Sequence, residues 1–292
     1  MREKVSIGDI IINVILGLFA LTIVLAFYNM LVLSFSPGYV ATKGGLHLWP
    51  PEFVWDNYSK VFDSRYIWLG YKNTILRTII GTVCTLFVTA MGAYALSKKY
   101  FPHRSFWTLL IVFTMFFSGG LIPNYLLIKD LGLLETFASL ILPGLVSAYN
   151  FTIMRNNFMA FPEEIEESCM IDGAGRFRTF ISVVLPLSKP ILATVALWVA
   201  VGHWNAWFDA LIYLSDEERF PLQVVLRRIL LTGTQQLLEN NPSQEFMMEN
   251  AEASPEGMKA AAIFVATVPI LCVYPFIQKY FVQGIMVGSL KG

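Results

Sequence analysis

Five carboxylates fall within ten residues: Glu163, Glu164, Glu166, Glu167 and Asp172. That cluster is the densest set of chemistry-bearing side chains in the chain, and carboxylates so arranged can grip cationic groups of another molecule. Pro162 can occupy the first helical position, where its missing N–H costs nothing. Glu163 and Glu164 follow in the first turn, where negative charge opposes the positive helix end. At helical spacing Ile165, Ser168 and Cys169 share one face, and Glu163, Glu166, Glu167 and Met170 share the other. Asp172-Gly173-Ala174 should end this helix, since glycine accepts the positive φ of a sharp reversal. A second helix carries Phe177, Phe180, Ile181 and Val184 at i, i+3, i+4 and i+7, and Pro186 and Pro190 should end it and redirect the chain. The expected form is a stiff elbow, tied down by an aromatic stripe, with one carboxylate face left for a soluble partner. An ordinary amphipathic loop is the alternative.

Several kinds of chemistry lack their residues. The sequence has no G-x-x-x-x-G-K-[ST] for a nucleotide, and no H-E-x-x-H, G-x-S-x-G or Cys-x-x-Cys. His47, His103 and His203 are far apart in sequence, so no metal site is expected. Cys84, Cys169 and Cys272 read as free thiols. The expected spans hold no buried ionisable side chain apart from Asp209 at one end, whereas proton or sodium relays need such groups. A protein of this kind that pumps must draw energy from elsewhere.

The elements that position the elbow are apolar. Hydrophobic residues make up 55% of the 292 and charged residues 14%, against about 25% in soluble domains; the mean hydropathy is +0.58. Six charge-free runs, Ile10–Thr42, Thr78–Ser97, Ser105–Ile128, Thr136–Met154, Pro190–Phe208 and Ala260–Gln278, each approach or exceed the roughly 20 residues that cross a hydrocarbon core. The expected fold class is therefore all-α, a polytopic membrane protein with six transmembrane helices near 10–36, 73–97, 105–128, 136–156, 189–210 and 258–280. The elbow occupies 162–186 and a long outer loop 211–257. The apolar run of the first span is too long for a cleaved signal peptide.

Basic residues set the orientation. With the N-terminus inside, the inner side holds 11 basic and 7 acidic residues and the outer side 10 and 14. The short loop Lys98–Arg104 has three basic residues and no acid. Both termini and the elbow are then expected to be cytoplasmic. Trp49, Trp55, Tyr66, Trp68 and Trp107 suit the membrane interface. Gly81, Gly92, Ala93 and four threonines (Thr78, Thr82, Thr85, Thr89) suit close helix approach in the second span. Ser118-Gly119-Gly120 with Pro123-Asn124 should break the third span, which at membrane depth is tolerated only against protein or a wet cavity. In the outer loop, Leu222, Val225, Leu226, Ile229 and Leu230 form an amphipathic stripe with Arg227 and Arg228 off it. Glu239–Gly257 is acidic, without a basic residue.

Glu167-Ser168-Cys169, three residues, Gly173, nine residues and Val183-Val184-Leu185-Pro186 resemble the E-A-A…G…I-x-L-P loop of ABC importer permeases, with every spacing kept. Ser168 and Cys169 replace two alanines and Val183 an isoleucine. The tail from Lys279-Tyr280-Phe281-Val282-Gln283-Gly284 to Gly288-Ser289-Leu290-Lys291-Gly292 resembles carbohydrate permeases of the maltose-permease G-subunit type. The resemblance covers nearly the whole chain. It implies the type I ABC importer transmembrane-domain fold, a bacterial plasma-membrane location and a coupling helix seated in a cytoplasmic ATPase. ATPase-docking residues would be Glu163, Glu166, Glu167, Met170, Asp172, Gly173 and Ala174, with Ser289, Leu290, Lys291 and Gly292 in the tail. Implied partners are a second homologous permease, two ABC ATPase subunits, an extracytoplasmic solute-binding protein and the lipid bilayer, with no nucleic acid. This chain would hold no cofactor; ATP and magnesium would sit in the ATPases.

The expected function is the transmembrane subunit of an ATP-driven importer of a sugar or oligosaccharide, and not an enzyme in itself. A secondary transporter or channel acting alone is the alternative; an intramembrane enzyme would need a catalytic constellation that the sequence lacks. Asn124, Tyr149, Asn150, Trp204, Asn205, Trp207 and Asp209 are candidates for the substrate pathway, because aromatics stack on sugar rings and amides bond hydroxyls. Core or interfacial packing explains each of them equally well.

Overall fold

Long apolar runs form the longest helices, two of them without any proline. In this computed structural model, which describes residues 7–41, 43–238 and 254–289, no strand occurs among the described residues. Helix α1 spans Ile7–Ser34, α2 Gly38–Ala41, α3 Asp56–Asp63 and α4 Arg65–Ser97. Helix α4 starts before the expected span because no proline interrupts the chain after Ser64. Along α1 most side chains from Ile10 to Val24 are large and apolar, and these are exposed around the whole helix, which suits lipid or another apolar partner rather than water.

Glycine and proline decide where the other runs bend. Helices α5 (Arg104–Phe116) and α6 (Leu121–Asp130) meet at 119°. Gly120, at φ +86°, makes this turn, as the Ser118-Gly119-Gly120 signal requires. Two 3₁₀ turns, Phe137–Leu140 and Leu142–Gly144, precede α7 (Ala148–Met159) at a 54° bend. Helix α8 is Glu163–Ile171. Helix α9 (Arg176–Thr179) passes through a π-helical stretch, Phe180–Val184, into α10 (Leu185–Leu187). The next helix, α11 (Lys189–Asn205), leaves at 82°. Pro186 thus lies within the helical run rather than ending it; the wider π turn just before it relieves the clash of its ring, and Ser188 with Pro190 makes the corner. Helices α12 (Phe208–Tyr213), α13 (Leu222–Leu238) and α14 (Pro255–Ser289) follow. Among the described residues three helices are individually long and apolar enough to cross a membrane, and up to six spans result if each bent pair is one.

The described residues fall into two compact units, one drawn from Met1–Trp68 and Val225–Pro269, the other from Leu69–Val224 and Ile270–Gly292. In the first, buried Asn57 donates to the carbonyls of Ser34 and Ser36, both at 3.1 Å, and accepts from the Ser254 N–H at 3.3 Å. This one amide ties the ends of α1 and α14 to α3. Gly257 packs directly on it: a Cβ there would lie 2.5 Å from Asn57 Nδ2. In the second unit, Ala90, Ala93 and Tyr94 of α4 pack with Phe151, Met154 and Phe158 of α7, with Phe180 and Val184, and with Val195 of α11. Gly92 lets Phe151 approach, since a Cβ there would meet its ring at 3.2 Å. On α13, Leu222, Val225 and Leu226 of the stripe are buried, Ile229 and Leu230 are half-buried and Arg227 and Arg228 are exposed; Val224, off the stripe, is buried as well. Glu135, at φ +58°, accepts from the Ser215 N–H at 2.7 Å, and this bond draws its carboxyl below the usual range.

Candidate functional site: the acidic elbow and its anchor

Pro162 caps α8 from outside at φ −59° and ψ 130°, one residue earlier than the sequence suggests, and Glu163 opens the helix. At the other end the Gly173 N–H bonds the Met170 carbonyl at 3.0 Å and the Ala174 N–H bonds the Cys169 carbonyl at 2.9 Å. With Gly173 at φ +78° this is a Schellman ending, and it turns the chain sharply toward α9. Glu163, Glu164, Glu167, Met170, Asp172 and Gly173 are exposed, Ala174 is half-buried, and Ile171 is 86% exposed.

Glu166 departs from the expected carboxylate face. It is 7% exposed and ion-paired to Lys98, at the end of α4. On a helix this short, a residue one position from Glu167 sits about 100° around the axis, far enough to face the bundle. Lys98 also lies 4.6 Å over the Tyr94 ring. That ring stacks on Phe180 at 5.0 Å and meets Phe158 edge-on at 6.0 Å. Beside this contact, Lys99 pairs with exposed Glu163 at 2.7 Å; hydrogen bonding to the ammonium holds the Glu163 carboxyl below its usual range. Arg176 lies 4.1 Å over the Tyr100 ring. A cavity of about 390 Å³ opens here, lined among others by Lys98, Tyr100, Arg104, Phe158, Glu166 and Arg176. The aromatic stripe is only half as drawn from sequence: Phe180 and Val184 are buried, but Phe177 is 63% exposed and Ile181 39%. Of the tail, Ser289 ends α14, and Leu290, Lys291 and Gly292 lie outside the described residues.

The substrate-pathway candidates are distributed over helices α6, α7, α11 and α12. Asn124 is exposed on α6. Tyr149 is exposed and packs on Trp198 at 5.8 Å, and Asn150 is buried. Asn205 is exposed and donates back to the Val201 carbonyl at 2.9 Å. Trp204 and Trp207 are half-buried. Asp209 is ion-paired with Arg77, which is buried and also donates to the Leu140 carbonyl at 3.2 Å. Arg77 corrects the expectation that Asp209 stands alone. The two charges each sit one position outside a charge-free run, at ends expected on the same side, and that symmetry was the available signal. Nearby, His203 packs on Gly81, where a Cβ would come 2.7 and 2.8 Å from its Cδ2 and Cε1.

The family described as "Binding-protein-dependent transport system inner membrane component" matches residues 67–287, a stretch that contains the whole elbow. The chain belongs to this family. This permease is 40% identical over 276 residues to Protein LplC of Bacillus subtilis (strain 168), covering 94% of this chain and 92% of the relative. It is 39% identical over 292 residues to the polygalacturonan/rhamnogalacturonan transport system permease protein YtcP of the same organism, covering 99% and 100%. A crystal structure of a bacterial ABC transporter involved in the import of the acidic polysaccharide alginate contains a chain that superposes with a TM-score of 0.87 at 34% identity, covering 96% of this chain and 100% of that one. The permease therefore has the type I importer fold. It is a membrane transport subunit, of a family that is not itself catalytic and works with ATPases and a binding protein.

Proposed function

We propose that this permease is one of two transmembrane subunits of an ATP-driven importer that carries a sugar or oligosaccharide across the bacterial plasma membrane. A second, homologous permease pairs with it. Two ATPase subunits dock from the cytoplasm, hold ATP and magnesium, and receive the elbow through Glu163, Glu167, Met170, Asp172, Gly173 and Ala174. A solute-binding protein delivers the cargo from outside, and both termini are cytoplasmic. The observation that carries this reading is the elbow itself: a short helix closed by positive-φ Gly173, with Ile171 and every carboxylate except Glu166 unburied at the surface of a permease. Two relatives are named for polygalacturonan/rhamnogalacturonan and for the acidic polysaccharide alginate, which makes acidic oligosaccharides the first cargo to test.

The test is purification of the tagged permease from its own bacterium, followed by uptake into vesicles with the cognate binding protein. An ABC ATPase should copurify, and uptake should require ATP. Uptake of acidic but not neutral oligosaccharides would fix the cargo class. A permease that purifies alone and transports without ATP would instead support the secondary-transporter reading.

A further inference from the structure

The elbow has two faces with different jobs. The outer face carries Glu167 and Ile171 to the surface; the inner face carries one carboxylate, Glu166, inward to Lys98. Both side chains of this pair are largely removed from solvent, at 12% for Lys98 and 9% for Glu166. Lys98 follows directly after α4, the 33-residue helix that ends at Ser97. Its ammonium is fixed from a second direction by the Tyr94 ring, which is itself clamped by Phe158 and Phe180. Arg155 of α7 adds a further tie, donating from Nε to the Leu96 carbonyl at 2.9 Å. The neighbouring pair, Lys99 with Glu163, is exposed on both sides and is screened by water and salt. The two pairs link the same two segments, yet only the buried one resists sliding, because opening it would strand a charge away from water.

We propose that Lys98 and Glu166 are positioning residues for energy coupling: they lock the inner face of the coupling helix to the end of α4, so that displacement of the elbow by the ATPases becomes displacement of a membrane-spanning helix. The assignment rests on the importer reading above. It gives the short loop Lys98–Arg104 a mechanical function in addition to its part in orientation. Without the lock, α8 pivots about the Gly173 turn, the ATPases close, and α4 does not follow.

The experiment uses the assembled importer in proteoliposomes with its binding protein. Four forms are compared: wild type, Lys98→Met, Glu166→Gln, and the exchange Lys98→Glu with Glu166→Lys. Readouts are the ATPase retained per permease, ATP hydrolysis per assembled complex and cargo transported per ATP. The single variants should retain the ATPases and hydrolyse ATP, while cargo per ATP falls about tenfold or more. The exchange should recover a substantial part of that ratio. A wild-type cargo-per-ATP ratio in both single variants overturns the proposal. So does a fall only in the amount of assembled complex with the ratio intact, since that marks a structural role alone. Wild-type protein that binds no ATPase would instead defeat the importer reading, an outcome read before any variant is made.

Discussion

Glu166 and Glu167 are adjacent and of the same type, yet their surroundings separate them. Glu167 is exposed and free to meet a cation on a docked ATPase, whereas Glu166 is committed to Lys98. Glu167→Lys should therefore weaken ATPase retention and uptake more than Glu167→Ala, since it adds repulsion to the loss of attraction. The loss should be about 3–5 kcal/mol if docking buries the contact, and about 1 kcal/mol or less if it stays wet. Measurement of ATPase affinity by titration distinguishes these, and a Glu167→Lys variant with normal affinity and uptake would remove this residue from the docking surface. Arg77 and Asp209 make a second residue-level case. Arg77→Met leaves Asp209 without its partner and should lower stability by about 3 kcal/mol, the low end for a buried pair because the carboxylate is partly exposed. Arg77→Met with Asp209→Leu should recover most of that, read as thermal unfolding of the detergent-solubilised permease. A single variant as stable as wild type would show that the pair contributes nothing.

At the scale of elements, two glycines hold helix ends in place for different reasons. Gly173 has open space around it, so a substitution there meets backbone strain rather than a clash. Gly173→Val should cost about 1–2 kcal/mol in left-handed strain and tilt α8 enough to lose most uptake while the permease still reaches the membrane. Gly173→Asn, a residue that tolerates this region, should retain far more. Equal uptake by the two variants would argue against the turn as the critical feature. Gly257 is the reverse: its φ needs no glycine, but its space is taken by Asn57. Gly257→Ala should destabilise by about 1–3 kcal/mol as an overpacked contact, seen as a lower unfolding temperature. Asn57→Ala placed on top should relieve the clash but not restore wild-type stability, because the amide's bonds to Ser34, Ser36 and Ser254 are then gone.

At the scale of the whole molecule, the prediction is topology. Single cysteines at 103 and 165, on a background lacking Cys84, Cys169 and Cys272, should resist an impermeant thiol reagent in intact cells and react in inverted vesicles. A cysteine at Phe53 should do the opposite. The exposed tryptophans Trp49, Trp55 and Trp68 suit the outer interface and Trp107 the inner one. Labelling of position 165 from outside would reverse the orientation and take the elbow away from any cytoplasmic ATPase.

Hydropathy runs, loop charge and the fixed spacing from Glu167 to Pro186 were enough to assign an all-helical permease and to locate its elbow. Those features are local, or periodic along one helix, so a single chain displays them. The break before α6 and the turn at Gly173 were legible for the same reason: glycine's backbone freedom is a property of one residue. The facing of Glu166, the exposure of Phe177 and Ile181 and the partnership of Arg77 with Asp209 depend on which helices pack together. Residues 77 and 209 are 132 positions apart, and Lys98 and Glu166 are 68 apart. Only tertiary structure brings such groups within bonding distance, and burial then turns two ordinary charges into a fixed joint.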